Sequence, residues 1–259
     1  MENPSILSMI AITTCVGETY AKVLDFATDI NVKYLKHLYI VTDSETKPLI
    51  KNSTHDNVTI VEHNFIAGVE IFEAWERRHN SGASIGHPPP KDKWPRHVQN
   101  LKNNSFNKGS GLRIGQKLAN EHYPEEPHLI MDSDIVLTED IYRWVQNNDI
   151  ITDVLYTIQE RRDYLKYDDY TRQQDYITST YSGKGFGYFQ LVKQPVETYI
   201  YYDDWKNGSK IDCWFRDDIL HKRSNDWKDN KITIPYHLDH LGQDGVGRYK
   251  YGRYDNNFF

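Results

Sequence analysis

The chain has 259 residues, a formal net charge of −6, 38% hydrophobic and 26% charged residues. That length buries a substantial core, and a mildly acidic balance without a long Lys/Arg block excludes nucleic acid as the main partner. Two cysteines, Cys15 and Cys213, stand in no zinc or redox spacing, and no stretch is long and apolar enough to be a transmembrane segment.

The apolar run at 6–14 (ILSMIAITT) has no basic region before it, so it reads as a first buried strand and not as a signal peptide. It closes on Thr13 and Thr14. Residues 17–30 place Tyr20, Val23, Leu24, Ala27 and Ile30 at helical spacing. A second buried strand, 37–43 (HLYIVTD), ends in Asp43, and 57–62 (NVTIVE) reads as a third, followed by a helix over 67–78. Apolar strands with polar carboxyl ends, alternating with helices, predict an α/β fold with a mostly parallel central sheet flanked by helices. Ligands of such sheets bind beyond the carboxyl ends of the strands. Residues 79–105 break the rhythm with Gly82, Gly86, Pro88, Pro89, Pro90 and Pro95, and Trp94, Arg96 and His97 make them read as a lid-like loop near the site.

In 106–122 (FNKGSGLRIGQKLANEH) a glycine turn at Gly109–Ser110–Gly111 leads into a helix expected from about residue 111. Lys108 and Arg113 flank the turn, and cationic side chains beside helix-start amides suit a diphosphate. The stretch 128–137 (HLIMDSDIVL) then drives an apolar strand into Asp132, Ser133 and Asp134 and comes out apolar again. Carboxylates at the end of a buried strand need a positive partner. The cheapest one is Mn²⁺ or Mg²⁺ with oxygen ligands, and the usual client of such an ion is a diphosphate. In an extended segment residues two apart face the same way, so Asp132 and Asp134 are expected to address one ion. No G-x-x-x-x-G-K-[ST] phosphate loop is present.

Further on, Thr138 caps a short helix to about residue 144, and 151–158 (ITDVLYTI) reads as a strand. The charged, tyrosine-rich stretch 161–176 reads as a loop or exposed helix. Three glycines precede an apolar strand in 181–192 (YSGKGFGYFQLV), and 211–222 (IDCWFRDDILHK) reads as a helix carrying Asp217 and Asp218. A carboxylate at a helix start can serve as a general base. A last short strand at 232–236 leads to His237 and His240, candidates to join the ion; three apart in extended chain, they point to opposite faces, so one of them is expected to reach it. We count one domain, with a nucleotide-binding half over 1–134 and an acceptor half over 135–259.

Taken together, IAITT, YIVTD, FNKGSGLRIG, MDSD, GKGFGYFQLV, FRDDILH and HLDHLG resemble the GT-A glycosyltransferases, the metal-dependent class that uses nucleotide sugars, over most of the chain. MDSD matches that class's D-x-D motif, and HLG resembles its C-terminal metal-binding histidine motif. The resemblance implies a Rossmann-like GT-A fold with a short antiparallel acceptor-side portion. It implies Thr13 beside the base and Asp43 at the base or ribose. Asp134 and His240 would hold the metal, and Asp132 the donor sugar, the ribose or the metal through water. Asp218 would act as base in an inverting transfer; Asp217 stands where glutamate is commoner. The implied donor is a UDP-sugar, the acceptor a hydroxyl of a glycan or other molecule, and the location the cytoplasm, at most peripheral to a membrane. Two other readings of the residues stay open: a nucleotidyltransferase using a nucleoside triphosphate, and a carbohydrate-binding protein using aromatics such as Tyr188, Trp214 and Tyr199 to Tyr202.

Overall fold

The computed structural model describes residues 8–51, 54–65, 70–80, 90–96, 108–150, 155–158, 160–164, 167–174, 176–180, 189–193 and 236–238. The first strand, β1 (Ile10–Cys15), is buried along its whole length. It feeds α1 (Glu18–Asn31), which returns the chain to β2 (His37–Thr42); β3 (Val58–Glu62) and α2 (Glu70–Asn80) follow. The chain then crosses back through α3 (Lys108–His122) to β4 (His128–Met131), which pairs with the other edge of β1. β3, β2, β1 and β4 are mutually parallel, and β9 (Phe189–Val192) and β6 (Leu155–Thr157) extend the sheet as antiparallel neighbours, in the order β3-β2-β1-β4-β9-β6. The mostly parallel, helix-flanked sheet expected from the alternation of apolar strands and helices is therefore present.

Strand alternation sorts the core into two layers. Met9, Ala11 and Cys15 pack with Ala21 and Leu24 of α1 and with Ile141 and Val145 of α4 (Glu139–Asn147). Ile10 and Ile12 face the other way, against Leu112 and Ala119 of α3. α3 can lie this close because it presents glycines to the strand. A Cβ on Gly115 would sit 2.4 Å from Cγ2 of Ile12, and one on Gly111 2.3 Å from Cε1 of Phe65 and 2.9 Å from Cγ2 of Thr14. The glycines expected to shape a turn thus lie within the helix, and Gly111 serves close packing instead.

A second, four-stranded sheet differs from expectation. β5 (Ile135–Val136), β10 (Tyr236–Leu238), β7 (Glu160–Tyr164) and β8 (Tyr176–Thr180) line up in that order, with α5 (Tyr167–Arg172) between β7 and β8 in sequence. Of the stretch 161–176 expected as loop or exposed helix, Tyr167–Arg172 is helical, whereas its start belongs to β7 and Tyr176 opens β8. The charges of β7 hide the period-2 signal of a strand, and its Tyr164 is buried with Val23, Ala27 and Val136. Of the strand expected at 232–236, Tyr236 opens β10, and 232–235 lie outside the described residues. In the stretch read as a lid, residues 90–96 pack onto α2, where Trp94 stacks on Phe72 at 5.6 Å and Lys91 pairs with Glu76 at 2.8 Å. No described helix is long and apolar enough to cross a membrane.

His128 opens β4 fully buried. Its Nε2 lies 3.2 Å from the carbonyl of Tyr123, so that nitrogen carries the proton, and Nδ1 has no hydrogen-bond partner among the described residues. Burial pushes this imidazole below its ordinary value, and the Tyr123 carbonyl and Glu126 offset part of that. His37 is lowered too, by burial and by nearby His122. A depressed histidine binds its proton more readily unfolded than folded, so stability is fully present above the unfolded value of about 6.5 and is lost as pH falls from there toward the folded value. Urea unfolding from pH 7.5 to 5.5 should show falling stability, by at most about 1.4 kcal/mol per pH unit for each histidine. His128→Leu should make the fall shallower; an unchanged pH slope in that variant would show that His128 is not a source of it.

Candidate active site

β1 lies between β2 and β4, and the chain leaves β1 toward β2 but arrives at β4 from the far side. The carboxyl ends of β1 and β4 therefore flank the point where the strand order reverses, the usual place for a ligand in an open α/β sheet. Asp132 begins at this rim, one residue beyond the end of β4.

The aspartate pair is not in extended chain. β4 stops at Met131, and the N–H of Ile135 donates to the carbonyl of Asp132 at 3.4 Å, closing a turn through Ser133 and Asp134. Buried apolar residues on both sides disguise this turn as one continuous strand. It separates the two carboxylates by environment: the Asp132 side chain is 33% exposed, whereas Asp134 is 3% exposed and Ser133 is also buried. The exit of the turn is held from opposite edges. The Asn31 side chain, at the end of α1, donates to the carbonyl of Ile135 at 2.8 Å and accepts from the N–H of Leu137 at 2.7 Å. On the other edge β10 runs antiparallel to β5, with Tyr236 opposite Val136 and His237 opposite Ile135. The C-terminal histidine segment thus returns to the residue that follows Asp134. His240, Asp217 and Asp218 lie outside the described residues, as do Tyr188, Trp214 and Tyr199 to Tyr202.

The positive partner that Asp132 requires is supplied by the protein. Lys108, its side chain only 9% exposed, forms an ion pair with Oδ1 of Asp132. Nothing local in the sequence announces this contact, since the two residues are 24 positions apart. Two residues along α3, Ser110 bonds Nε2 of His63 at 2.8 Å, just past the end of β3. The ring of Phe65 meets that of His63 edge-on at 4.9 Å. The first turn of α3 thus spans the rim, bound to the end of β4 on one flank and of β3 on the other, with Gly111 seated on Thr14 between. His63, Ser110, Phe65 and Asn31 are rim residues that sequence reasoning missed. The position of His63 and Phe65 directly after a predicted parallel strand was the available signal. Arg113 is half-buried on the same helix, five residues after Lys108 and about 140° around the axis.

Thr13 and Thr14 project to opposite faces of β1, and both are buried. Neither hydroxyl has a hydrogen-bond partner among the described residues. Asp43 is half-buried beyond β2. Its Oδ1 accepts from the N–H of Thr46 at 2.6 Å, and the Thr46 hydroxyl accepts from Gly17 N–H at 2.7 Å. Gly17 stands at φ 95°, a left-handed conformation that glycine tolerates, so this relay ties the end of β2 to the start of α1. Burial pushes the Cys15 thiol up, with Asp25 and Asp43 adding to the effect, leaving it neutral and unreactive.

No family model matches the sequence, and no curated protein matches it. Among solved structures, the chain is similar to 4-diphosphocytidyl-2C-methyl-D-erythritol synthase from Anaerococcus prevotii, at 13% identity and a TM-score of 0.40, over 90% of this chain and 88% of that one. It is also similar to the galactosyltransferase LgtC in complex with donor and acceptor sugar analogues, at 11% identity and a TM-score of 0.39, over 94% of each chain. Both neighbours are enzymes. At such scores the chemistry of the site has to come from its own residues.

The acidic turn supplies two carboxylates of the kind that a divalent ion bound together with phosphate uses. Mg²⁺ sites of that kind take one or two carboxylates and complete their shell with phosphate oxygens and water, and Asp132 and Asp134 share one turn. No group of three His, Cys, Asp or Glu residues that could hold a metal stands together among the described residues. The Lys108–Asp132 pair also carries structural weight. In a double-mutant cycle of Lys108→Met and Asp132→Asn read by urea unfolding, the two should couple by roughly 0.5–3 kcal/mol. Additive effects would mean that the contact contributes nothing to stability.

Proposed function

We propose that the protein transfers a sugar from a nucleoside-diphosphate donor, a UDP-sugar, to a hydroxyl of a glycan or other acceptor. The observation that carries this reading is the acidic turn Asp132–Ser133–Asp134 at the sheet's switch point, with the buried ammonium of Lys108 against it. A diphosphate needs positive charge held in fixed positions and shielded from water, and Lys108, anchored on a packed helix, supplies it. Asp134 and Asp132 would hold Mn²⁺ or Mg²⁺, with His240 or His237 as a further ligand. When bound, that ion neutralises the charge gathering on the departing nucleoside diphosphate.

The remaining roles are assigned by the same reading. Asp132, the more exposed carboxylate, would meet the donor's sugar or ribose as well as the ion. Lys108 binds the diphosphate. Asp43, with one oxygen committed to Thr46, can offer the other to the base or ribose. Thr13 and Thr14 shape the floor from within the core. Asp218, beside Asp217, takes the acceptor proton if the transfer inverts.

Titration with UDP, with and without Mn²⁺, tests the reading. Binding should strengthen at least tenfold with Mn²⁺, and Asp134→Ala should abolish that gain. Metal-independent UDP binding, or binding unaltered by Asp134→Ala, would sink it. Release of pyrophosphate from a nucleoside triphosphate, without sugar transfer from any UDP-sugar, would point to a nucleotidyltransferase instead.

A further inference from the structure

Asp132 is the accessible member of the aspartate pair, yet its charge is already balanced. The ammonium of Lys108 sits against Oδ1, and the lysine side chain is nine-tenths buried. Its backbone has little room to withdraw. Gly111, one turn on, is packed against Phe65 and Thr14, and Ser110 is bonded to His63. With its backbone held on this helix turn, the Lys108 ammonium pairs with Asp132, and the phosphate oxygens of a diphosphate would compete for it as stronger acceptors.

A divalent ion approaching Asp132 alone would have to share that carboxylate with an ammonium, and the two cations repel at short range. A nucleoside diphosphate changes the balance. Its phosphate oxygens accept hydrogen bonds from Lys108 and also complete the shell of the ion, so one ligand engages both cations.

We propose that Lys108 is a built-in counter-cation that keeps divalent metal off Asp132 until a diphosphate arrives, so that metal and nucleotide load together. The proposal rests on the nucleotide-sugar reading and adds to it an order of assembly. Binding couplings are reciprocal, so the factor by which UDP tightens Mn²⁺ is the factor by which Mn²⁺ tightens UDP. Neutralising residue 108 should shrink that factor: Mn²⁺ alone gains access to Asp132, and UDP loses a phosphate partner.

The test is the affinity of Mn²⁺, measured by the paramagnetic resonance of free ion, with and without UDP, for the full chain and for Lys108→Met. Mn²⁺ alone should bind the variant at least tenfold more tightly than the parent, and the gain in Mn²⁺ affinity on adding UDP should be at least tenfold smaller. Lys108→Gln, which removes the charge but keeps a donor toward Asp132, provides the same comparison should circular dichroism show that Lys108→Met does not fold. If the parent shows UDP-linked Mn²⁺ binding and the neutral variants bind Mn²⁺ alone no more tightly than it does, this proposal falls and the nucleotide-sugar reading stands. If the parent shows no UDP-linked Mn²⁺ binding at all, both fall.

Discussion

The close approach of α3 to β1 is the constraint on which the rest of the site depends. Gly115 on Ile12 and Gly111 on Thr14 and Phe65 leave no room for a Cβ, and overpacking such a contact typically costs about 1–3 kcal/mol. Seated this deeply, the helix brings Lys108 to the end of β4 and Ser110 to the end of β3. A larger separation would lift Lys108 away from Asp132 and open the rim to water. The same packing that buries apolar surface therefore fixes the charge arrangement beside the acidic turn.

The acidic turn itself is held by contacts that lie far away in sequence. Asn31 stitches the exit of the turn through two backbone hydrogen bonds, and β10 pairs with the opposite edge of β5. These contacts leave Asp134 inside and Asp132 at the rim. Under the proposed function that difference would give the carboxylates separate tasks. The buried one would hold the metal, and the exposed one would change partners between lysine, metal and sugar.

Much of the fold was legible in the sequence because buried parallel strands are written as apolar runs with polar ends. The runs HLYIVTD, NVTIVE and HLIMD each marked a strand within a residue or two of its observed position. The position of the aspartate pair at the carboxyl end of a central strand was legible for the same reason. What was not legible depends on distant contacts. The turn at Asp132 was disguised by apolar residues on both sides, and the partner of Asp132 came from a helix 24 residues away. The strand at Glu160–Tyr164 (ERRDY) carries charges where alternation is sought, and the uncharged Tyr176–Thr180 (YITST) follows a charged, tyrosine-rich stretch that masks where it begins. The glycines of α3 read as a turn because glycine serves both turns and close packing, and only the neighbouring strand decides between them.

The claim at the centre of this reading is that the Asp132–Asp134 turn and Lys108 form one seat for a metal-bound diphosphate. Crystals grown with UDP and Mn²⁺, measured at the manganese absorption edge, test it most directly. The predicted result is a single anomalous peak at the Asp132–Asp134 turn, with the phosphates of UDP reaching the Lys108 ammonium. A manganese peak elsewhere, or UDP bound away from the carboxyl ends of β1 and β4 with the Lys108–Asp132 pair intact, would contradict it.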